Sequence, residues 1–144
     1  MNLRLALPPS LKRCRCDTGN GYDECCGPII SGRRQAMTAL ELMRSRFTAY
    51  ATNDVDYLLY SWASTTQPAS LELSPDTRWE SLEILATDRG GPTDSTGQVR
   101  FLARYRERGL EQTIAELSEF ERPKGRWVYV GGTHYTNPRN QPLT

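Results

Sequence analysis

Val99-Arg100-Phe101-Leu102-Ala103-Arg104-Tyr105-Arg106 alternates apolar residues with mostly charged ones. Successive strand side chains point to opposite faces, so Val99, Phe101, Ala103 and Tyr105 share one face, and the three arginines with Leu102 the other. The stretch reads as a long half-exposed strand ending at Gly109. Upstream, beginning at Trp79, Leu82, Ile84 and Ala86 alternate with Glu83, Leu85 and Thr87, which makes a second strand. Gly90 to Gly97 between them is a loop by composition. Downstream, Thr113 to Phe120 supplies another strand, and Pro123-Lys124-Gly125 turns the chain into a last one over Arg126-Trp127-Val128-Tyr129-Val130. Residues 131–144 lose the alternation and read as a tail, with His134 a surface residue beyond the last strand.

The residues before the strands have a helical period instead. Thr38 and Glu41 form a T-x-x-E capping box, and Leu40, Met43, Phe47 and Tyr50 make one apolar stripe along Ala39 to Ala51. Asn53-Asp54 break that helix and cap a second, whose stripe is Val55, Leu58, Leu59 and Trp62. Ser74-Pro75 reads as the start of a third, shorter helical turn. Helices first and antiparallel strands afterwards give an α+β fold, with helices packed on one face of a curved antiparallel sheet.

A chain of 144 residues with 38% hydrophobic residues is one domain with a small appendage, able to bury roughly two-thirds of its unfolded surface. Mean hydropathy is −0.61, and no apolar run approaches the roughly 18 residues of a membrane span. The N-terminal Met1 to Pro9 lacks an apolar stretch of signal-peptide length, so a cytoplasmic protein is expected. Net charge is +1, but it is uneven: residues 1–34 hold six cations against three anions. A basic N-terminal segment of this kind fits contact with RNA or an acidic protein, or simply neutralises anionic groups nearby.

All four cysteines lie in that segment, spaced C-x-C-x8-C-C as Cys14, Cys16, Cys25 and Cys26. Gly19, Gly21, Asp17, Thr18 and Asn20 make the intervening loop turn, which lets the two pairs face each other. Four soft donors at this spacing fit a tetrahedral zinc ion in a closed structural site. Disulfides between the two ends, or four free thiols, are the alternatives. Four thiolates around Zn²⁺ leave a charge of −2, and Lys12, Arg13 and Arg15 stand beside the sulfurs to offset it. Pro28 and Gly32 bound a short connector, Ile29 to Gln35, before the first helix.

Cys14-x-Cys16, then Gly19, Tyr22 and Cys25-Cys26-Gly27-Pro28, resembles the SEC-C zinc motif as it stands at the N-terminus of the bacterial YchJ family. Asp17 replaces the Gly usual after the second cysteine, and Asn20 a usual Lys, which bears on a partner surface rather than on the metal. The resemblance continues through Leu42-Met43-Arg44-Ser45-Arg46-Phe47, Asp56-Tyr57-Leu58, Trp62, Trp79, Val99-x-Phe101-x-Ala103-Arg104, Glu116-x-Ser118-x-Phe120 and Gly125-x-Trp127-x-Tyr129-x-x-Gly132-Thr133. It departs at Ala63, where the family commonly has His, and in having no second cysteine motif near the C-terminus. The resemblance implies a nuclear-transport-factor-2-like (cystatin-like) cone over residues 36–133 behind a zinc knuckle over 1–35, with 134–144 a tail. It implies no established reaction, but it does imply a docking role, with an unidentified protein or ribonucleoprotein partner on the basic knuckle. Direct nucleic-acid contact is a variant of that role.

Cones of this kind often enclose a cavity between the first helix and the concave sheet face. Glu116 and Ser118 share one face of a strand, while Arg44 and Arg46 lie about 200° apart on a helix, so at most one of the two enters the cone. That arginine is expected to pair with Glu116. Trp79, Phe101 and Trp127, with Trp62, are the aromatics available to floor the site. No catalytic residue is assigned. A small-molecule site or an enzyme in this cavity is the alternative to an interaction module.

Overall fold

The computed structural model describes residues 13–135. Residues 1–12, Lys12 among them, and the part of the tail from 136 onward lie outside the described residues. In chain order the elements are a single 3-10 turn (Tyr22–Glu24), helices α1 (Cys26–Ser31), α2 (Ala39–Ala51) and α3 (Val55–Tyr60), and strands β1 (Thr77–Arg89), β2 (Thr96–Glu107), β3 (Leu110–Glu121) and β4 (Val128–His134). The strands form one antiparallel sheet in the order β1-β2-β3-β4, as the alternation predicts.

β2 and β3 pair without interruption from Thr96↔Glu121 to Glu107↔Leu110. Only Arg108 and Gly109 connect them, both at positive φ, which is the turn whose twist suits a two-residue hairpin. β1 is bulged against β2 in two places, between Trp79 and Ser81 and between Ile84 and Ala86, and such bulges bend a strand. On the concave face Val99, Phe101, Ala103 and Phe120 are buried with α2 and α3 in the main core. Among the described residues no helix is long and apolar enough to cross a membrane.

The capping box forms, with a variation. The Thr38 hydroxyl accepts from Glu41 N–H at 3.0 Å, while Glu41 reaches back to the Met37 N–H at 2.8 Å and holds Arg34 through both carboxylate oxygens. Asp54 caps α3 through Tyr57 N–H. α2 is buried more widely than one stripe: Ser45, Arg46, Thr48 and Ala49 are covered as fully as Met43 and Phe47. A further layer, the cysteine-bearing segment, packs against α2 and reaches the β1 edge of the sheet.

Several expectations are corrected. The connector Ile29–Gln35 is half helix, since α1 runs from Cys26 to Ser31. Pro28 sits in its first turn, where no intrahelical N–H is needed, and Gly32 closes it at φ +83. Ser74-Pro75 opens a plain turn into β1 and no helix, the Ser74 hydroxyl accepting from Asp76 N–H. α3 ends at Tyr60, so Trp62 lies past it in a bridge to Tyr129. The last strand does not stop at Val130: β4 runs to His134, and Tyr135 is buried behind it against Leu102 and Ala115. Leu102, on the charged face of β2, therefore belongs to a small second cluster.

Both outer strands of the sheet are covered along part of their length. Beside β4, Tyr129 N–H donates to Ser61 O and Ala63 N–H donates to Tyr129 O, each at 2.8 Å. Beside β1, Arg15 donates to Trp79 O at 2.7 Å and Leu82 N–H donates to the Asp17 carboxylate at 3.1 Å. Unpaired backbone at a sheet edge invites association with other strands, and these contacts remove it.

Candidate functional site

The segment 13–26 folds back on itself through a bridge between Arg13 and Gly21 and through Cys14 N–H to Asn20 O at 2.8 Å. Asp17 stands at φ +66, a conformation glycine adopts freely, which accounts for the glycine usual there. Tyr22 lies so close to Gly27 that a Cβ at that position would meet its ring and carbonyl. The loop thus brings Cys14 and Cys16 over Cys25 and Cys26 at the start of α1.

The four sulfurs lie within 4.8 Å of one another, Cys16 to Cys25 at 3.5 Å and Cys25 to Cys26 at 4.0 Å, and all four thiols are free. A zinc tetrahedron with arms of about 2.3 Å has sulfur–sulfur edges of about 3.8 Å. The cluster therefore has the size and donor chemistry to hold a metal ion of that type. Cys14, Cys16 and Cys26 are buried. Hydroxyls supply polar contacts: Thr48 reaches Cys14 at 3.6 Å and Thr18 reaches Cys25 at 3.2 Å.

Thiols packed this closely cannot all ionise by themselves. Contacts with Cys16 and Cys26 push the Cys14 thiol far down, contact with Cys14 pushes Cys26 far up, and burial pushes Cys25 up to about 11. A divalent cation resolves that conflict, since it draws all its thiol ligands into the thiolate form.

The flanking cations are used differently from expectation. Arg13 donates to Gly19 O within the loop and Arg15 to the edge of β1, while Arg44 of α2 donates to Cys16 O at 2.9 Å. Arg44 is therefore corrected from a cavity residue to an anchor of the cysteine loop: it projects from the side of α2 that faces this loop. Asp17, although exposed, is engaged as well, because its carboxylate accepts from the Leu82 N–H of β1.

On the other side of α2 lies a cavity of about 180 Å³. It brings together five residues expected there, Arg46, Trp79, Phe101, Glu116 and Ser118. Trp127 is not among them; it is buried in the core with its indole N–H on Met37 O. The sequence reading missed Met43, Phe47 and Tyr50 on α2, Ala103 and Ile114 on the sheet, and Tyr129 on β4 as parts of this wall. The helical spacing of Met43, Phe47 and Tyr50, one turn apart along the face that carries Arg46, is the signal that would have found them.

Arg46 does not pair with Glu116. Its Nη1 donates to Leu58 O at 2.8 Å and to Ser61 Oγ at 2.6 Å, and the guanidinium lies over the rings of Trp62 and Tyr129, 4.9 and 4.4 Å from their centroids. Burial pushes its pKa down. Glu116 finds other partners: Ser118 Oγ at 2.6 Å and Tyr129 OH at 3.1 Å on Oε2, and His134 Nε2 at 3.0 Å from Oε1. His134 stands directly opposite Glu116 on β4, so it closes a strand and does not lie beyond it, though its side chain is 64% exposed.

Residues 38–132 match the family model described as the YchJ middle NTF2-like domain. The chain is 42% identical over 128 residues to a UPF0225 protein of Geobacter sulfurreducens, covering 83% of this chain and 77% of that one. It is 48% identical over 121 residues to a UPF0225 protein of Corynebacterium efficiens, covering 83% and 92%. Among solved structures, a SEC-C motif containing protein from Rhodopseudomonas palustris superposes with TM-score 0.74 at 32% identity, over 83% of this chain and 95% of that one. A SEC-C motif containing protein from Psychrobacter arcticus shares the fold, with TM-score 0.71 at 23% identity over 90% and 86%.

Proposed function

The chain belongs to the YchJ family, and from that premise we propose that it is a non-enzymatic zinc protein whose closed four-cysteine centre fastens the N-terminal knuckle to the NTF2-like cone as one binding module. The observation that carries this reading is the pair of grips made by Cys14 to Asp17. One grip is on α2, through Arg44 to Cys16 O and Thr48 to Cys14 Sγ; the other is on β1, through Arg15 and Asp17. Four thiolates fill a tetrahedral zinc ion and leave no position for water, so the metal in this reading holds structure and activates nothing.

A protein or ribonucleoprotein partner remains the proposed occupant of the knuckle's outer surface. Of the arginines there, Arg15 is engaged on β1 and Arg34 on Glu41, whereas Arg13 and Arg33, whose bonds go to Gly19 O and Ser31 Oγ of the same segment, are exposed cations that no carboxylate pairs among the described residues and that can meet an acidic partner. Charge reversal at Arg33 is the clean probe of docking, since reversal at Arg15 would also break the β1 contact.

Hydrogen exchange of Cys25→Ser tests the structural role. Faster exchange over residues 13–35 and at the Leu82 amide, with β2 and β3 still protected, is the expected result. Global loss of protection, or no change in the knuckle, would contradict it.

A further inference from the structure

Two opposite charges line one small cavity without touching each other, and they are not equally satisfied. Both oxygens of Glu116 are engaged by protein donors, from Ser118, Tyr129 and His134. Arg46 is only 3% exposed, and among the described residues no carboxylate lies within 4.0 Å of its guanidinium. Its hydrogen bonds go from Nη1 to a carbonyl and a hydroxyl, the neutral Tyr50 hydroxyl of the same wall also contacts it, and its aromatic neighbours spread its charge, but none of these groups cancels it. A buried cation costs free energy unless an anion meets it, so the unmet need of the cavity is a negative group.

Apart from the Tyr50 hydroxyl, the rest of the wall is apolar. Phe47 and Trp79 meet edge to face at 5.8 Å, and Met43, Phe101 and Ile114 surround them. A space of 180 Å³ is slightly larger than the roughly 150 Å³ cavity known to take up benzene. We propose that the cavity is a binding site for a small monocarboxylate with a compact apolar or aromatic body, its carboxylate on Arg46 and its body against Phe47, Trp79 and Phe101. None of the cavity's residues is a cysteine or bonds to one, and Trp79 meets the knuckle through its backbone carbonyl, which accepts from Arg15, while its ring faces the cavity wall.

The test is calorimetric titration of the full chain with sodium benzoate, with benzyl alcohol and benzylamine as neutral and cationic counterparts of the same size. Saturable binding of benzoate is expected, at least about tenfold tighter than either counterpart, because a hydrogen-bonded charge pair out of water is worth that much. Arg46→Gln should abolish the preference. Because Arg46 also bonds Leu58 and Ser61, its loss could disturb folding, so Ile114→Phe serves as the second variant. It fills the cavity while leaving Arg46 in place and should also abolish benzoate binding. Equal affinity for benzoate and benzyl alcohol, preference for benzylamine, undiminished binding by a folded Ile114→Phe chain, or no benzoate binding below about 10 mM would each overturn the assignment.

Discussion

Arg44 and Arg46 stand two residues apart on α2 and leave it on opposite sides: Arg44 donates to Cys16 O in the cysteine loop, and Arg46 is buried in the wall of the cone cavity. The helix is therefore a shared wall. One face carries the metal-type cluster through Arg44 and Thr48, and the other carries the cavity through Met43, Arg46, Phe47 and Tyr50.

Replacing Arg44 by Met should loosen the cysteine loop and leave the cavity intact. Loss of a charged hydrogen bond to a partly buried carbonyl costs about 1–2 kcal/mol. Denaturant unfolding should register that loss, and hydrogen exchange should place it in residues 14–18. Exchange changes centred on β3 instead would show that α2 transmits strain across its width.

Asp17 carries two opposed contributions, an unfavourable positive φ and a favourable bond to Leu82 N–H. Asp17→Asn keeps an acceptor and tolerates the left-handed region, so it should cost less than about 1 kcal/mol. Asp17→Gly relieves the backbone but loses the bond, a net cost of about 1 kcal/mol. Asp17→Ala suffers both penalties, about 2–3 kcal/mol in all. Stability in the order Asn, Gly, Ala checks the assignment; an alanine variant as stable as the asparagine one would remove the β1 grip from the account.

Tyr57 supplies a pH signature. Its hydroxyl bonds Ser45 Oγ at 2.6 Å, and burial pushes its pKa up to about 12 from an ordinary value near 10. A raised pKa means the neutral phenol is favoured in the fold: its contribution is complete below pH 10 and lost as pH rises through 12. Two units correspond to roughly 2–3 kcal/mol. Tyr57→Phe should flatten the decline in stability above pH 10, and a decline equal to that of the parent chain would assign the alkaline limb elsewhere.

Local signals made much of the fold legible. Alternation around Phe101 and Leu82 located the paired strands, and the Thr38 and Asp54 caps set the helix starts. The sequence was silent where one residue's role depends on a distant one. Gly131-Gly132 read as a tail because glycine is a poor strand former, yet a Cβ on Gly132 would collide with the Glu116 carboxylate from the neighbouring strand. Ile29 to Gln35 read as a connector because Pro28 and Gly32 bound it, yet Pro28 lies in the first turn of α1 and Gly32 closes that helix. At the site, the cysteine spacing foretold the sulfur cluster, whereas helical geometry could say only that Arg44 and Arg46 diverge. Which one entered the cone was decided by the knuckle packing on the other side.

The central claim is that the four cysteines share one zinc ion, and elemental analysis of protein purified without added metal tests it most directly when paired with thiol titration before and after chelation. One zinc per chain, with four thiols becoming reactive only once the metal is removed, is the predicted result. No bound metal, with thiols that react at once or only after reduction, would contradict it and leave the knuckle held by its hydrogen bonds to α2 and β1 alone.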